Sequence, residues 1–232
     1  MEVKRIKQLT HQFVNAIKGD TVYSQLYKWE SFQTFGKHWD IDAPDFGKMY
    51  DASFQNDKSR RLWKRENWYP KEMMLKLIEI DQEFVRRMFK RLFDEDKSIE
   101  ARVSQFKFSA DEILVDFKKE NKTSIETNHF HEKLNMPFLY LSFRYPDIYT
   151  LFDYKPFEIT CKAIRVTKIP ESYNVDRFVK ISKIMNTFLM KEDMDESLET
   201  RNQHLGIDQN SNYLLVDEFY EWCFNNAEST FA

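Results

Sequence analysis

Two carboxylates and a lysine in the stretch RYPDIYTLFDYK have the residue types of a metal-dependent nuclease site. Asp147 follows Pro146, and Asp153 precedes Tyr154 and Lys155, which outlines a PD-(D/E)xK pattern. Such a site needs both carboxylates in one metal coordination shell. The aromatic and β-branched run between them has the composition of a strand, which would hold the carboxylates roughly 20 Å apart. We therefore interpret the stretch as a turn between two strands and expect no catalytic residue there.

Metal and nucleotide chemistry find little further support in the sequence. His129 and His131 could bind a metal from one face of a strand, but no third ligand stands at motif spacing, and we interpret both as loop residues. The chain has no G-x-S-x-G nucleophile motif and no G-x-x-x-x-G-K-[ST] phosphate loop. Cys161 and Cys223 fit neither a disulfide framework nor a zinc spacing. The sequence therefore predicts a protein that is not an enzyme, with no cofactor and no metal.

Basic residues interleaved with tryptophans form the best candidate binding surface. Arginine and lysine suit phosphate contacts, while indole rings suit base stacking, so the expected ligand is DNA. The alternative is a helix that buries its tryptophans and shows its charges to water. The candidate DNA-binding residues are Arg60, Arg61, Trp63, Lys64, Arg65 and Trp68, extended by Arg86, Arg87, Lys90 and Arg91.

Charge is distributed unevenly along the chain. The net charge is −3 overall, but residues 58–91 carry a net +6 and residues 192–221 a net −8. This pattern predicts a polyanion-binding surface and a separate acidic one, or else two solvated helix faces. The first thirty residues lack a signal-peptide pattern, and no run of 18 apolar residues could span a membrane. We therefore expect a cytoplasmic protein without a membrane partner.

Apolar periodicity predicts a mainly helical chain. Spacing of three and four residues indicates a helix over 3–18, one long helix over 70–92 that begins at Pro70, and a second long helix capped by Ser98. Two long helices with so short a connection are expected to pack antiparallel. Short helices and loops are expected over 21–57, and further helices over 156–164, over 175–190 and around residues 214–223.

Two aromatic runs, at residues 138–143 and 148–152, are of strand length and flank the turn at Pro146 and Asp147. The predicted fold class is therefore mainly α with a small β-hairpin or sheet, in which the long helices pack with the aromatic strand pair. We expect a single domain over 1–232, with a possible subdivision into a helical part, 1–125, and a part with the strand pair and further helices, 126–232.

The order of segments over residues 63–155 resembles the region upstream of the motor in McrB-type AAA+ restriction proteins. The resemblance rests on the runs MFKRLFDEDKSIEARV, NHFHEK, and LYLSFRYPDIYTLFDYKPF, in that order. It covers about 90 residues of the chain. The sequence departs from the family in one respect, because it contains no AAA+ motif.

The resemblance implies an N-terminal accessory domain of a modification-dependent restriction or phage-defence system. In that family the AAA+ motor hydrolyses GTP or ATP, a McrC-type subunit carries the nuclease, and N-terminal domains commonly choose the DNA target. Some flip a modified base into an aromatic pocket. The expected function is DNA recognition, with the motor supplied in cis or in trans. The alternatives are a protein-interaction or sensor module of the same system and, less favoured, a metal-dependent nuclease.

Overall fold

The chain folds as two groups of helices in a computed structural model that describes residues 1–17, 26–55, 69–128, 134–192, 199 and 212–227. Ten α-helices and no strand occur in these ranges, which confirms the mainly α prediction. The helices cluster into a terminal unit, made of Met1–Ser24 and Tyr145–Ala232, and a central unit, Gln25–Arg144. None of the described helices is long and apolar enough to cross a membrane.

The helices divide between the units as follows. The central unit contains α2 (Leu26–His38), α3 (Phe46–Ser53), α4 (Pro70–Ile80), α5 (Gln82–Leu92), α6 (Ile99–Glu120) and α7 (Asn135–Arg144). The terminal unit contains α1 (Val3–Ile17), α8 (Tyr154–Ala163), α9 (Val175–Leu189) and α10 (Asn212–Asn225).

The predicted β-hairpin is wrong. Residues 138–143 lie in helix α7, and residues 149–153 are an irregular segment between a turn and α8. Every residue from Asn135 to Phe143 is buried, so the run has no polar face from which a helical or an alternating period could be read. Pro137 stands in the first turn of α7, where the missing N–H costs no hydrogen bond. The first predicted strand is therefore part of a helix, and most of the second lies in the irregular segment.

The long helix predicted over 70–92 is interrupted at Asp81. This residue ends α4 with extended backbone and then caps α5, because its Oδ1 accepts a 2.8 Å hydrogen bond from the Phe84 amide. The predicted starts at Pro70 and Ser98 are confirmed, and the Ser98 hydroxyl accepts from the Ala101 amide at 3.3 Å. Helix α6 packs against both α4 and α5.

Aromatic side chains fill the core of the central unit around Phe89, which is fully buried. Its ring centroid lies 4.8 Å from that of Tyr140, 5.2 Å from Trp39 and 5.5 Å from Phe106. The hydroxyls of Tyr50 and Tyr140 share a 2.7 Å hydrogen bond within this cluster, and burial raises the pKa of both phenols. The cluster thus joins α3, α5, α6, α7 and the segment that follows α2.

Helix α10 is the centre of the terminal unit and packs against α1, α8 and α9. Phe219 meets Phe13 of α1 with ring centroids 5.5 Å apart, and Tyr220 bonds Ser182 of α9 through their hydroxyls at 2.9 Å. The two cysteines, Cys161 on α8 and Cys223 on α10, are free thiols buried in this core.

We expect both thiols to resist alkylation in the native protein. Burial raises the pKa of Cys161 and of Cys223 to about 12, from an ordinary value near 9. At pH 8 the reactive thiolate is then scarcer by about three orders of magnitude than in an exposed cysteine. Iodoacetamide labelling followed by mass spectrometry should show reaction at least about 100-fold slower in buffer than in urea. Equal rates in the two conditions would contradict the buried placement.

The same shift carries a stability consequence with a defined sign. A thiol whose pKa is higher in the folded state stabilises the fold fully below the unfolded value, and this contribution disappears as the pH rises. The free energy of unfolding should therefore fall as the pH rises from roughly pH 9 towards pH 12, because the unfolded chain loses both thiol protons before the folded chain does.

Candidate nucleic-acid interface

The ten residues predicted to bind DNA fall into two groups in the structure. Six of them, Arg60, Arg61, Trp63, Lys64, Arg65 and Trp68, lie in the segment 56–68, outside the described residues. The other four, Arg86, Arg87, Lys90 and Arg91, lie on α5. The geometry of the candidate interface is therefore the geometry of α5 and of what it contacts.

Arg86 does not face solvent, contrary to the expectation for the basic residues of this segment. Only 7% of the residue is exposed. Its guanidinium donates to the carbonyl oxygens of Ile41 and Ala43, the second at 2.7 Å, and its Nε lies 3.2 Å from the Glu83 carboxylate. The same group lies 4.9 Å from the ring centroid of Phe46. Arg86 therefore holds residues 40–45, the connection between α2 and α3.

Two more residues on the same face of α5 hold this connection, at positions four before and four after Arg86. The Gln82 side chain accepts from the Phe46 amide at 2.9 Å and donates to the Pro44 carbonyl at 3.0 Å. Lys90 Nζ lies 2.6 Å from Asp42 Oδ1. The spacing Gln82, Arg86, Lys90 is a visible helical stripe, but its partners are distant in sequence, so sequence reasoning missed it.

Arg87 and Arg91 lie one turn apart and are both exposed. The Arg87 guanidinium lies 5.9 Å from the ring centroid of Phe84, which is itself half-buried. Lys90 is exposed beside them, although its ammonium is shared with Asp42. Within about two turns, α5 thus presents three cations and part of an aromatic ring to solvent.

Lys90 forms an ion pair with Asp42 at one edge of this surface. The hydrogen bond and charge of Lys90 lower the pKa of Asp42, so the carboxylate stays ionised through the neutral range. Asp42 is exposed to water, and such exposed pairs contribute little stability. A phosphate can therefore replace Asp42 at Lys90 at small cost, whereas it could not replace the backbone partners of Arg86.

The other chemical candidates do not converge on a site in the described part of the chain. His129 and His131 lie outside it, and the neighbouring Asn128 is buried and donates to Asp111 at 2.9 Å. Asp153 caps α8 by accepting from the Lys155 amide at 3.3 Å, while Asp147 is exposed. No group of three His, Cys, Asp or Glu side chains suited to a metal ion occurs among the described residues.

Some of the acidic residues expected to form a surface over 192–221 are buried. Asp217 and Glu218 are buried in α10, with 3% and 6% of each residue exposed. Glu192 instead bonds Thr10 of α1 at 3.1 Å. Residues 193–198 and 200–211, which hold most of the other acids, lie outside the described residues.

Comparison of the chain with protein-family models, curated proteins and solved structures found no match.

Proposed function

We propose that this chain is a non-enzymatic DNA-recognition domain of a McrB-like restriction or phage-defence system. Its partners would be DNA, an AAA+ motor in cis or in trans, and a McrC-type nuclease subunit. The segment order over residues 63–155 suggests the system, and the exposed surface of α5 suggests the ligand.

One observation carries the proposal, namely that Arg87, Lys90 and Arg91 are exposed together on one side of α5. Clustered cations on a rigid helix bind DNA phosphates favourably. When they neutralise the phosphate charge, the counterions that surround the DNA backbone are released. Arginine adds a planar set of donors that fits two phosphate oxygens at once. We therefore assign phosphate contact to these three residues and remove Arg86 from the contact set, since its donors are occupied within the fold.

The remaining basic candidates lie outside the described residues, and we propose the same ligand for them. Residues 58–68 precede α4 directly and join cations to Trp63 and Trp68. Phosphate contacts fix the position of a protein on DNA, whereas base readout or stacking provides selectivity. In this division of roles, α5 positions the duplex and the tryptophans contact an exposed or flipped base.

Reversing the charges of α5 tests the proposal. We expect Arg87→Glu, Lys90→Glu and Arg91→Glu together to weaken binding of a plain duplex by about 10-fold to 100-fold at low salt. The slope of log affinity against log salt should become shallower by about 0.9 for each phosphate that the variant no longer neutralises. Fluorescence anisotropy with a labelled duplex measures both quantities.

The matched control is Lys76→Glu, Lys118→Glu and Lys122→Glu, three exposed lysines of the central unit with the same total change of charge. It should bind nearly as well as the unaltered protein. A second variant, with Glu at Arg60, Arg61, Lys64 and Arg65, tests the preceding segment separately. If the α5 variant binds DNA like its control, the assignment of α5 is wrong.

A protein-interaction role is the second candidate, and an exposed apolar pair on α6 favours it. Phe108 and Val115 are two turns apart on one face of α6, with 58% and 52% of each residue exposed. Exposed apolar side chains in register along a helix suit a protein contact better than a phosphate contact. Absence of duplex binding even at low salt would favour this role.

A further inference from the structure

A second basic surface lies on the terminal unit, at the start of α1 and the turn that follows α8. Helix α1 contains no acidic residue between Val3 and Ile17, and its apolar side is buried in the unit. The exposed side carries cations, amides and an imidazole at helical spacing: Lys4, Lys7, Gln8, His11, Gln12 and Asn15. The two ends of this side differ in charge, because His11 lies 3.3 Å from the Glu192 carboxylate. The cationic part of the side is therefore the first two turns.

The turn after α8 adds cations to this part of the surface. The Glu2 amide donates to the Ile164 carbonyl at 3.0 Å, which places the start of α1 beside the end of α8. Arg165 then follows α8 with its side chain 69% exposed and 2.7 Å from the Glu2 carboxylate, and Lys168 is exposed three residues later. The acid nearest to Lys4 in sequence, Glu2, is thus already paired with a cation.

The backbone at Arg165 is unusual for an arginine. Its φ is +56°, alone among the described non-glycine residues. The turn is a Schellman motif, in which Val166 N–H donates to Cys161 O at 2.9 Å and Arg165 N–H donates to Lys162 O at 3.0 Å. Glycine is the usual residue at this position, because a Cβ is strained at positive φ.

The ion pair with Glu2 does not explain why an arginine occupies this position. Exposed ion pairs contribute at most an energy similar to the cost of left-handed backbone in a residue with a side chain. The pair therefore offsets the strain at most and brings no net stabilisation to the fold. Backbone strain that the fold does not require suggests a functional side chain.

We infer that Lys4, Lys7 and Arg165 form a phosphate-binding surface on the terminal unit for the backbone of duplex DNA. The amides of Gln8, Gln12 and Asn15 add neutral donors along the same side, as protein contacts to phosphodiester oxygens commonly include. An anionic membrane is the weaker ligand, because interfacial helices insert an apolar face and that of α1 is buried within the unit. The inference shares with the proposed function only the identity of the ligand, since it uses neither α5 nor residues 56–68.

The test compares three variants in duplex binding over a salt series. Lys4→Glu with Lys7→Glu should weaken binding by about 10-fold and lower the salt slope by about 2, since each neutralised phosphate accounts for about 0.9 of the slope. The control, Lys155→Glu with Lys183→Glu, changes two exposed lysines of the same unit and should leave both quantities nearly unchanged. Circular dichroism checks that each variant is folded.

Arg165→Gly separates a binding role from a structural one. We expect it to weaken duplex binding while its Tm is unchanged or higher, because glycine relieves the strain at positive φ. A lower Tm with unchanged binding would mean that Arg165 only anchors Glu2, and would overturn its part in the surface.

The outcomes also separate this surface from α5. Weaker binding in the Lys4 and Lys7 variant but not in the α5 variant supports the second surface and refutes the assignment of α5. The reverse result refutes the second surface and leaves the proposed function standing. If the unaltered chain binds phosphatidylserine vesicles and no duplex, or binds neither, then DNA is the wrong ligand for both surfaces.

Discussion

Replacement of Phe89 by alanine is expected to lower the free energy of unfolding of the central unit by about 4 kcal/mol. The side chain is fully buried and meets rings from α3, α6 and α7 as well as Trp39, which follows α2. Its removal leaves a cavity between stiff aromatic neighbours that cannot easily close. Because Phe89 lies on α5, a partly unfolded α5 would also disrupt the basic surface.

Urea unfolding followed by tryptophan fluorescence measures this effect, since four of the five tryptophans lie within residues 25–144. Phe84→Ala is the matched control on the same helix, because Phe84 is only half-buried. It should cost about 1 kcal/mol. Similar destabilisation in the two variants would contradict the placement of Phe89 at the centre of the cluster.

Arg86→Met is expected to destabilise the central unit by about 3 kcal/mol, the second largest effect. Methionine keeps the apolar stem but leaves the Ile41 and Ala43 carbonyls without their charged donor. The connection between α2 and α3 then keeps its contacts to Gln82 and Lys90. The expected effect is therefore on stability and not on DNA affinity.

Arg87→Met is the control, because the neighbouring arginine is exposed and should change stability by less than about 0.5 kcal/mol. DNA binding, measured on folded protein, should show the reverse order, with the larger effect in Arg87→Met. Arg86→Met should bind within about two-fold of the unaltered chain, whereas Arg87→Met should bind more weakly because one phosphate is no longer neutralised. Equally weakened affinity in both would return Arg86 to the contact set.

The helices with a polar and an apolar side could be predicted from the sequence. In α1 and α9 the buried residues recur at helical spacing, and the starts of α4 and α6 carry the expected Pro70 and Ser98. These signals are local, because a cap bonds to residues two or three positions away. Distant parts of the chain do not alter them, and so their predictions are confirmed.

Helix α7 could not be recognised because its environment removes the signal. All its residues from Asn135 to Phe143 are buried, so the surroundings and not the period decide between helix and strand. The prediction of one continuous helix over 70–92 was wrong for a different reason. The apolar period continues across it, and only the Asp81 side chain, placed to accept from the Phe84 amide, marks the new start.

The candidate interface shows the limit of counting charges. In the sequence, Arg86 and Arg87 are equivalent neighbours in one basic run. In the fold one binds the carbonyls of a connection more than forty residues upstream, and the other faces water. Partners that far away in the chain leave no local pattern. The DNA contacts proposed within residues 56–68 stay a prediction.

The terminal unit is assembled from both ends of the chain, and this arrangement has a consequence for biosynthesis. Helix α1 leaves the ribosome before the central unit, but its packing partners α9 and α10 follow only after the roughly 120 residues of that unit. At about 10 residues per second, that delay exceeds ten seconds. During this delay the apolar side chains of Leu9, Phe13 and Val14 lack the helices that bury them in the folded protein, whereas the central unit can complete its core. We expect chaperones to bind nascent α1 during translation, and the terminal unit to fold after the central unit.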